Sequence, residues 1–167
     1  MPIQEYPFLL PTKEGIKIRC PNSLPMLWIR VINPANKIAV VVPALIDTGA
    51  ISCAFPASCA SKLGHDLRSV PHKKIITGNG VTCAFPHTSI VQILNIKPDG
   101  NPDITKILFT INEQLIDYTE GLDAFLLGQQ NFLDKFILSI NYPQKKLSVR
   151  YPHSPIEKKI KIKKRRH

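Results

Sequence analysis

The chain has 167 residues, 44% of them hydrophobic and 20% charged, with a formal charge of +10. That is the size of one ordinary domain with enough apolar material for a core, which excludes wholesale disorder. Its longest apolar run, Ala39 to Ile46, contains a proline and falls far short of the roughly 20 residues a membrane-spanning helix needs, and MPIQEYPFLL lacks the basic start of a secretory signal.

Fifteen prolines argue for short strands joined by turns rather than long helices. Residues 1–25 read as an extended lead-in, with strand-like alternation from Ile16 to Cys20. Leu27 to Ile32 is the next strand, and Asn33-Pro34-Ala35-Asn36 is a turn. Ile38 to Ile46 is nearly all apolar, the pattern of a strand buried on both faces, and it runs straight into Asp47-Thr48-Gly49-Ala50. A short strand from Ile51 to Phe55 leads to Pro56, which opens a short helix ending at Gly64.

Residues 70–76 and 81–96 are expected to pair as a hairpin across Thr77-Gly78-Asn79-Gly80, since Asn-Gly is a strong hairpin signal. Lys97 to Asp103 is a turn, Ile104 to Asn112 a strand, and residues 113–123 an acidic connector. Ala124 to Leu127 is a short apolar strand closed by Gly128, followed by one or two helical turns from Gln129 to Lys135. Phe136 to Asn141 and Leu147 to Tyr151 form a last hairpin. The sum is a mostly-β domain of short antiparallel strands with one or two short helices. Cys53-Ala54-Phe55-Pro56 recurs as Cys83-Ala84-Phe85-Pro86, too short a match to establish a repeat architecture.

Seven of the 22 basic residues fall in the last eleven, against one Glu, so +6 of the net charge sits in that tail. Such a block reads equally as a solvated tail and as a docking element for nucleic acid or an anionic surface. Residues 153–167 are accordingly set apart from the domain. The four cysteines, Cys20, Cys53, Cys59 and Cys83, are too sparse for a disulfide framework and read as reduced thiols of a cytoplasmic protein.

Asp47 is the residue that demands explanation. A carboxylate directly after an apolar strand either emerges in a turn or has an environment built around it. The tripeptide alone fits an ordinary Asx turn. Its context does more: the apolar strand before it, a second β run after it, the glycine-punctuated hairpin some thirty residues on, and the later apolar strand ending in glycine.

In that order, ALIDTGA, TGNG and AFLLGQQNFLDKF resemble the retropepsin-like aspartic proteases over roughly residues 26–151. The resemblance implies a closed, barrel-like β domain spanning residues 26–152 and needing no metal or cofactor. Asp47 matches the catalytic position, and Thr48, Gly49 and Ala50 match the active-site loop. Ile76, Thr77, Gly78, Asn79 and Gly80 match the flap over the substrate, for which a plain surface turn is the alternative. Leu126, Leu127 and Gly128 match the element supporting the cleft. Gln129-Gln130-Asn131 after that glycine is closer to bacterial or cellular relatives than to viral ones. The forty-odd residues before Asp47 depart from compact viral members, which build much of their dimer from their termini.

Aspartic proteolysis uses two facing carboxylates sharing one proton. The chain has a single Asp-Thr-Gly, so the resemblance implies a homodimer acting on a peptide or protein substrate. The competing expectations are an inactive peptide-binding or assembly module with the same fold, and an accessory protein held to an anionic partner by its tail. Ser52 or Cys53 acting with His72 or His87 is a further nucleophilic arrangement left open. Cys53, Cys59 and His65 are not at zinc-binding spacing and read as buried thiols beside a core histidine.

Overall fold

A computed structural model describes residues 4–9, 23–78 and 80–151. The Ile16–Cys20 strand, Cys20, Asn79 and the basic tail lie outside those residues. The described chain is mostly β. Its strands are β1 (Gln4–Pro7), β2 (Met26–Ile32), β3 (Ala39–Ile46), β4 (Ala54–Pro56), β5 (Lys73–Thr77), β6 (Gly80–Ile96), β7 (Pro102–Thr119), β8 (Leu126–Leu127), β9 (Ile137–Asn141) and β10 (Lys146–Arg150), with one α-helix, α1 (Ala57–Lys62), between β4 and β5. No helix among the described residues is long and apolar enough to cross a membrane.

Six strands close on themselves. β2 pairs with β3, β3 with β8, β8 with β4, β4 with β7, β7 with β6, and β6 returns to β2. Closure removes the free edges that an open sheet would expose, and β5 is left as an added strand on the outside of β6. β2 has the alternation of a half-buried strand: Leu27, Ile29 and Val31 are fully buried while Trp28, Arg30 and Ile32 turn the other way. Register shifts beside Ser89, Ile93 and Leu94 bend the long β6–β7 pair around the core.

Gln4–Pro7 forms a third strand on the terminal hairpin, giving the order β1-β10-β9. Tyr6, Leu147 and Val149 from this small sheet enter the same core as Ile29, Phe55, Ile93, Tyr118 and Leu127.

Four sequence expectations are corrected. β3 is not buried on both faces: Ala39 is exposed and Val40 to Val42 are half-buried, so burial deepens only from Pro43 to Ile46, as it approaches Asp47. The strand expected from Ile51 is confined to Ala54–Pro56, preceded only by an isolated parallel bridge between Ser52 and Gln130. The acidic connector is largely strand: β7 runs on to Thr119, with Gln114, Ile116 and Tyr118 buried at period two. The helical turns after Gly128 reduce to a 3-10 turn at Leu133–Lys135.

Pro56 caps α1 rather than beginning it, and Gly64 follows the helix with φ +73°, a conformation glycine adopts without strain. The asparagines of the 33–36 turn both donate to the Leu63 carbonyl at 3.0 Å, satisfying an acceptor at the helix end. The two Ala-Phe-Pro copies flank one stretch of β7: Phe55 and Phe85 both lie opposite Tyr118, one in the parallel ladder and one in the antiparallel ladder.

Candidate active site

β3 delivers Asp47 to a junction of three chain segments. Its amide donates to the Leu127 carbonyl at 3.1 Å, continuing the β3–β8 ladder. The chain then turns sharply. Asp47 Oδ1 accepts from the Gly49 amide at 2.9 Å and the Ala50 amide at 3.2 Å, so the carboxylate is held by its own loop. Among the described residues Oδ2 accepts no hydrogen bond. Gly49 faces that carboxylate closely: a Cβ there would lie 3.3 Å from Oδ1. Asp47 and Ala50 are half-buried, and Thr48 and Gly49 are exposed. The Thr48 carbonyl accepts from Gln129 Nε2 at 2.6 Å.

β8 lies between β3 and β4, the two strands the Asp47 loop connects. Leu127 is fully buried there. Gly128 is packed so tightly that a Cβ would overlap the Ser52 carbonyl and lie 3.0 Å from the Ala50 oxygen. Beyond it the Gln129 amide donates to Ala50 at 2.9 Å and the Gln130 amide to Ile51 at 2.7 Å. The structure therefore brings Asp47, Thr48, Gly49 and Ala50 together with Leu127 and Gly128.

In the hairpin of β5 and β6, Thr77 pairs with Gly80, and its hydroxyl donates to the Gly80 carbonyl at 3.0 Å. Gly80 has φ +108°, which the tight turn requires and which glycine supplies. Ile76, 88% exposed, and Val81 project apolar surface near the tip. Under the hairpin is a cleft of about 410 Å³ lined by Ala54, Ile75, Gly78, Val81, Leu122 and Leu126, among others. Thr77 and Gly80 line it too; Asp47 does not. Of the expected site residues, then, Leu126 lines the hairpin's cleft and the residues of the Asp47 loop do not.

Ser52 and Cys53 are not arranged as nucleophiles. The Ser52 hydroxyl donates to Asp117 Oδ2 at 2.6 Å. Burial pushes the Cys53 thiol up to about 11, the opposite of activation, and does the same to Cys59. His87 Nε2 is engaged with the Leu67 carbonyl at 3.2 Å, and His72 lies against Phe85. His65 packs on His87 with ring centroids 4.8 Å apart. Its pKa is lowered, first by burial and then by His87.

Asp117 escaped the sequence reading. It sits in the segment taken as a connector, its side chain is 5% exposed, and it pairs with Lys73 Nζ at 2.9 Å. The period-two pattern of Gln114, Ile116 and Tyr118 could have revealed the strand. Nothing local could have revealed partners at positions 52 and 73.

No family model and no curated protein matches this sequence. Among solved structures, the chain is similar to a retropepsin-like aspartic protease from Rickettsia conorii, at 26% identity over 74% of this chain and 88% of that one, with a TM-score of 0.47.

Proposed function

We propose that this chain is a retropepsin-like aspartic endopeptidase, its domain running over residues 26–152, and that two copies assemble one active site from their Asp47 side chains. What carries the reading is the state of that carboxylate. It lies at the end of a strand that becomes buried as it nears the loop, one oxygen is fixed by two backbone amides, and the other accepts no hydrogen bond among the described residues.

Two such carboxylates a few ångströms apart cannot both ionise easily, so they hold one proton between them and titrate as a unit. The ionised member takes a proton from water as it attacks the scissile carbonyl. The protonated member donates to the carbonyl oxygen, and the proton gained from water then goes to the leaving nitrogen. Thr48 and Gly49 shape the loop. The hairpin carrying Ile76 to Gly80 covers an extended peptide, whose backbone can add to a strand edge, and closure excludes water.

The test is Asp47→Asn in the full chain, with folding checked by circular dichroism and cleavage followed on a fluorogenic peptide with apolar residues around its central bond. Loss of cleavage by about 10³-fold or more is expected. Unchanged cleavage overturns the assignment. Peptide binding without turnover in the unmodified chain, retained in the variant, would establish the inactive binding module instead.

A further inference from the structure

We propose that Lys73 and Asp117 are positioning residues: a latch that ties the base of the β5–β6 hairpin to the loop carrying Asp47. The catalytic consequence rests on the protease reading above; the mechanical one does not. Asp117 Oδ2 receives the Ser52 hydroxyl at 2.6 Å and Lys73 Nζ at 2.9 Å. The three residues come from three places. Ser52 lies five positions after Asp47, and its carbonyl packs on Gly128. Asp117 is on β7, opposite Ala54 on one side and Pro86 on the other. Lys73 opens β5, opposite Ala84.

β5 is the added strand outside the closed ring, so its ladder to β6 is its main backbone attachment. To meet Asp117, the Lys73 side chain must reach across β6 to β7. It thereby joins the outermost strand to the inner neighbour of β4. A buried carboxylate is costly without a cation and hydrogen-bond donors, and here the cation comes from the hairpin and the donor from the Asp47 loop. Displacing the base of the hairpin therefore strips Asp117 of its charge partner.

The experiment compares Lys73→Met, Lys73→Arg and the double variant Lys73→Met with Asp117→Asn, all in the full chain. The double variant removes both charges, so no unpaired ion is buried and a folding failure of the single variant cannot obscure the result. Amide hydrogen exchange over residues 73–84, measured against core residues 27–31 and 91–93, reads the latch without any activity. Hairpin exchange about tenfold faster in the double variant with the core unchanged, and restored by Lys73→Arg, is expected. On the apolar fluorogenic peptide, KM should rise about tenfold while kcat changes much less, again with rescue by arginine. Hairpin exchange indistinguishable from the unmodified chain overturns the latch. A chain that folds yet cleaves nothing overturns the protease reading, and exchange then still decides the latch.

Discussion

Gly128→Ala isolates one contact of the Asp47 junction. The backbone at Gly128 is not in the left-handed region, so alanine adds no conformational strain there, and its whole effect is steric. The added methyl would overlap the Ser52 carbonyl and press on the Ala50 oxygen at 3.0 Å. Both neighbours are backbone, so neither can rotate away. Either β8 withdraws from between β3 and β4 or the 50–52 segment shifts. Overpacking of this kind costs about 1–3 kcal/mol. For a chain of this size each kcal/mol lowers the melting temperature by roughly 2–4 °C.

The matched control is Gly78→Ala, where a Cβ meets nothing within 4 Å and the backbone is again outside the left-handed region. It should move stability by no more than about 0.5 kcal/mol. Urea unfolding can be followed through Trp28, the single tryptophan, whose indole donates to the Gly100 carbonyl at 3.0 Å. On the protease reading proposed above, cleavage should fall in Gly128→Ala, since the displaced segment is the one that holds Asp47. Equal urea midpoints for the two variants would refute the close approach of β8 to the 50–52 segment.

Phe55→Ala removes a fully buried ring packed 5.2 Å from Phe125 and 6.1 Å from Tyr118, and should cost about 3–5 kcal/mol by urea titration. Asn33→Ala takes the side-chain acceptor from the Ala35 amide and one of two donors from the Leu63 carbonyl, which keeps Asn36, and should cost about 0.5–1.5 kcal/mol in the same assay. Cys53 and Cys59 titrate near 11 in the fold against an ordinary 9.0, so the stability they add is complete below pH 9 and is lost as pH rises toward 11. The urea midpoint should fall across that window, and thiol alkylation of the folded chain at mildly alkaline pH should spare both. His65 has the opposite sense: its lowered pKa gives stability that is complete above about 6.5 and lost on acidification, so His65→Gln should flatten the fall in urea midpoint between about pH 7 and pH 5.

What could be read from the sequence was local. The apolar run into Asp47, the glycine closing Leu126-Leu127 and the hairpin glycines are each decided by neighbours a few positions away, and each stands where its pattern placed it. Pro56 and Gly64 bracket α1 for the same reason. What escaped was decided at long range. The exposed start of β3 follows from its pairing with β2 on one side while β8 joins the other side only at Leu45 and Ile46, which its own composition does not record. Residues 113–119 carry acidic groups that suggest a solvated connector, but the strand there is held by ladders to β4 and β6. The charge that makes Asp117 tolerable in the interior comes from Lys73, forty-four positions earlier.

The contrast between Asp47 and Asp117 bears on which carboxylate does chemistry. Both lie close to the 50–53 segment in the fold, and both belong to hydrogen-bonded junctions. Asp117 is buried and its Oδ2 is shared by a half-exposed lysine and a serine hydroxyl, so a proton transfer there would first have to break the ion pair that satisfies the buried carboxylate. Asp47 is half-buried, its contacts fall on one oxygen alone, and its donors are backbone amides that carry no compensating charge. A group meant to exchange protons with water and a substrate must keep an oxygen accessible and its charge uncommitted. Asp47 meets that requirement and Asp117 does not. On the protease reading proposed above, replacing Asp117 by Asn should therefore act through the placement of the hairpin, and replacing Asp47 by Asn through the chemical step itself.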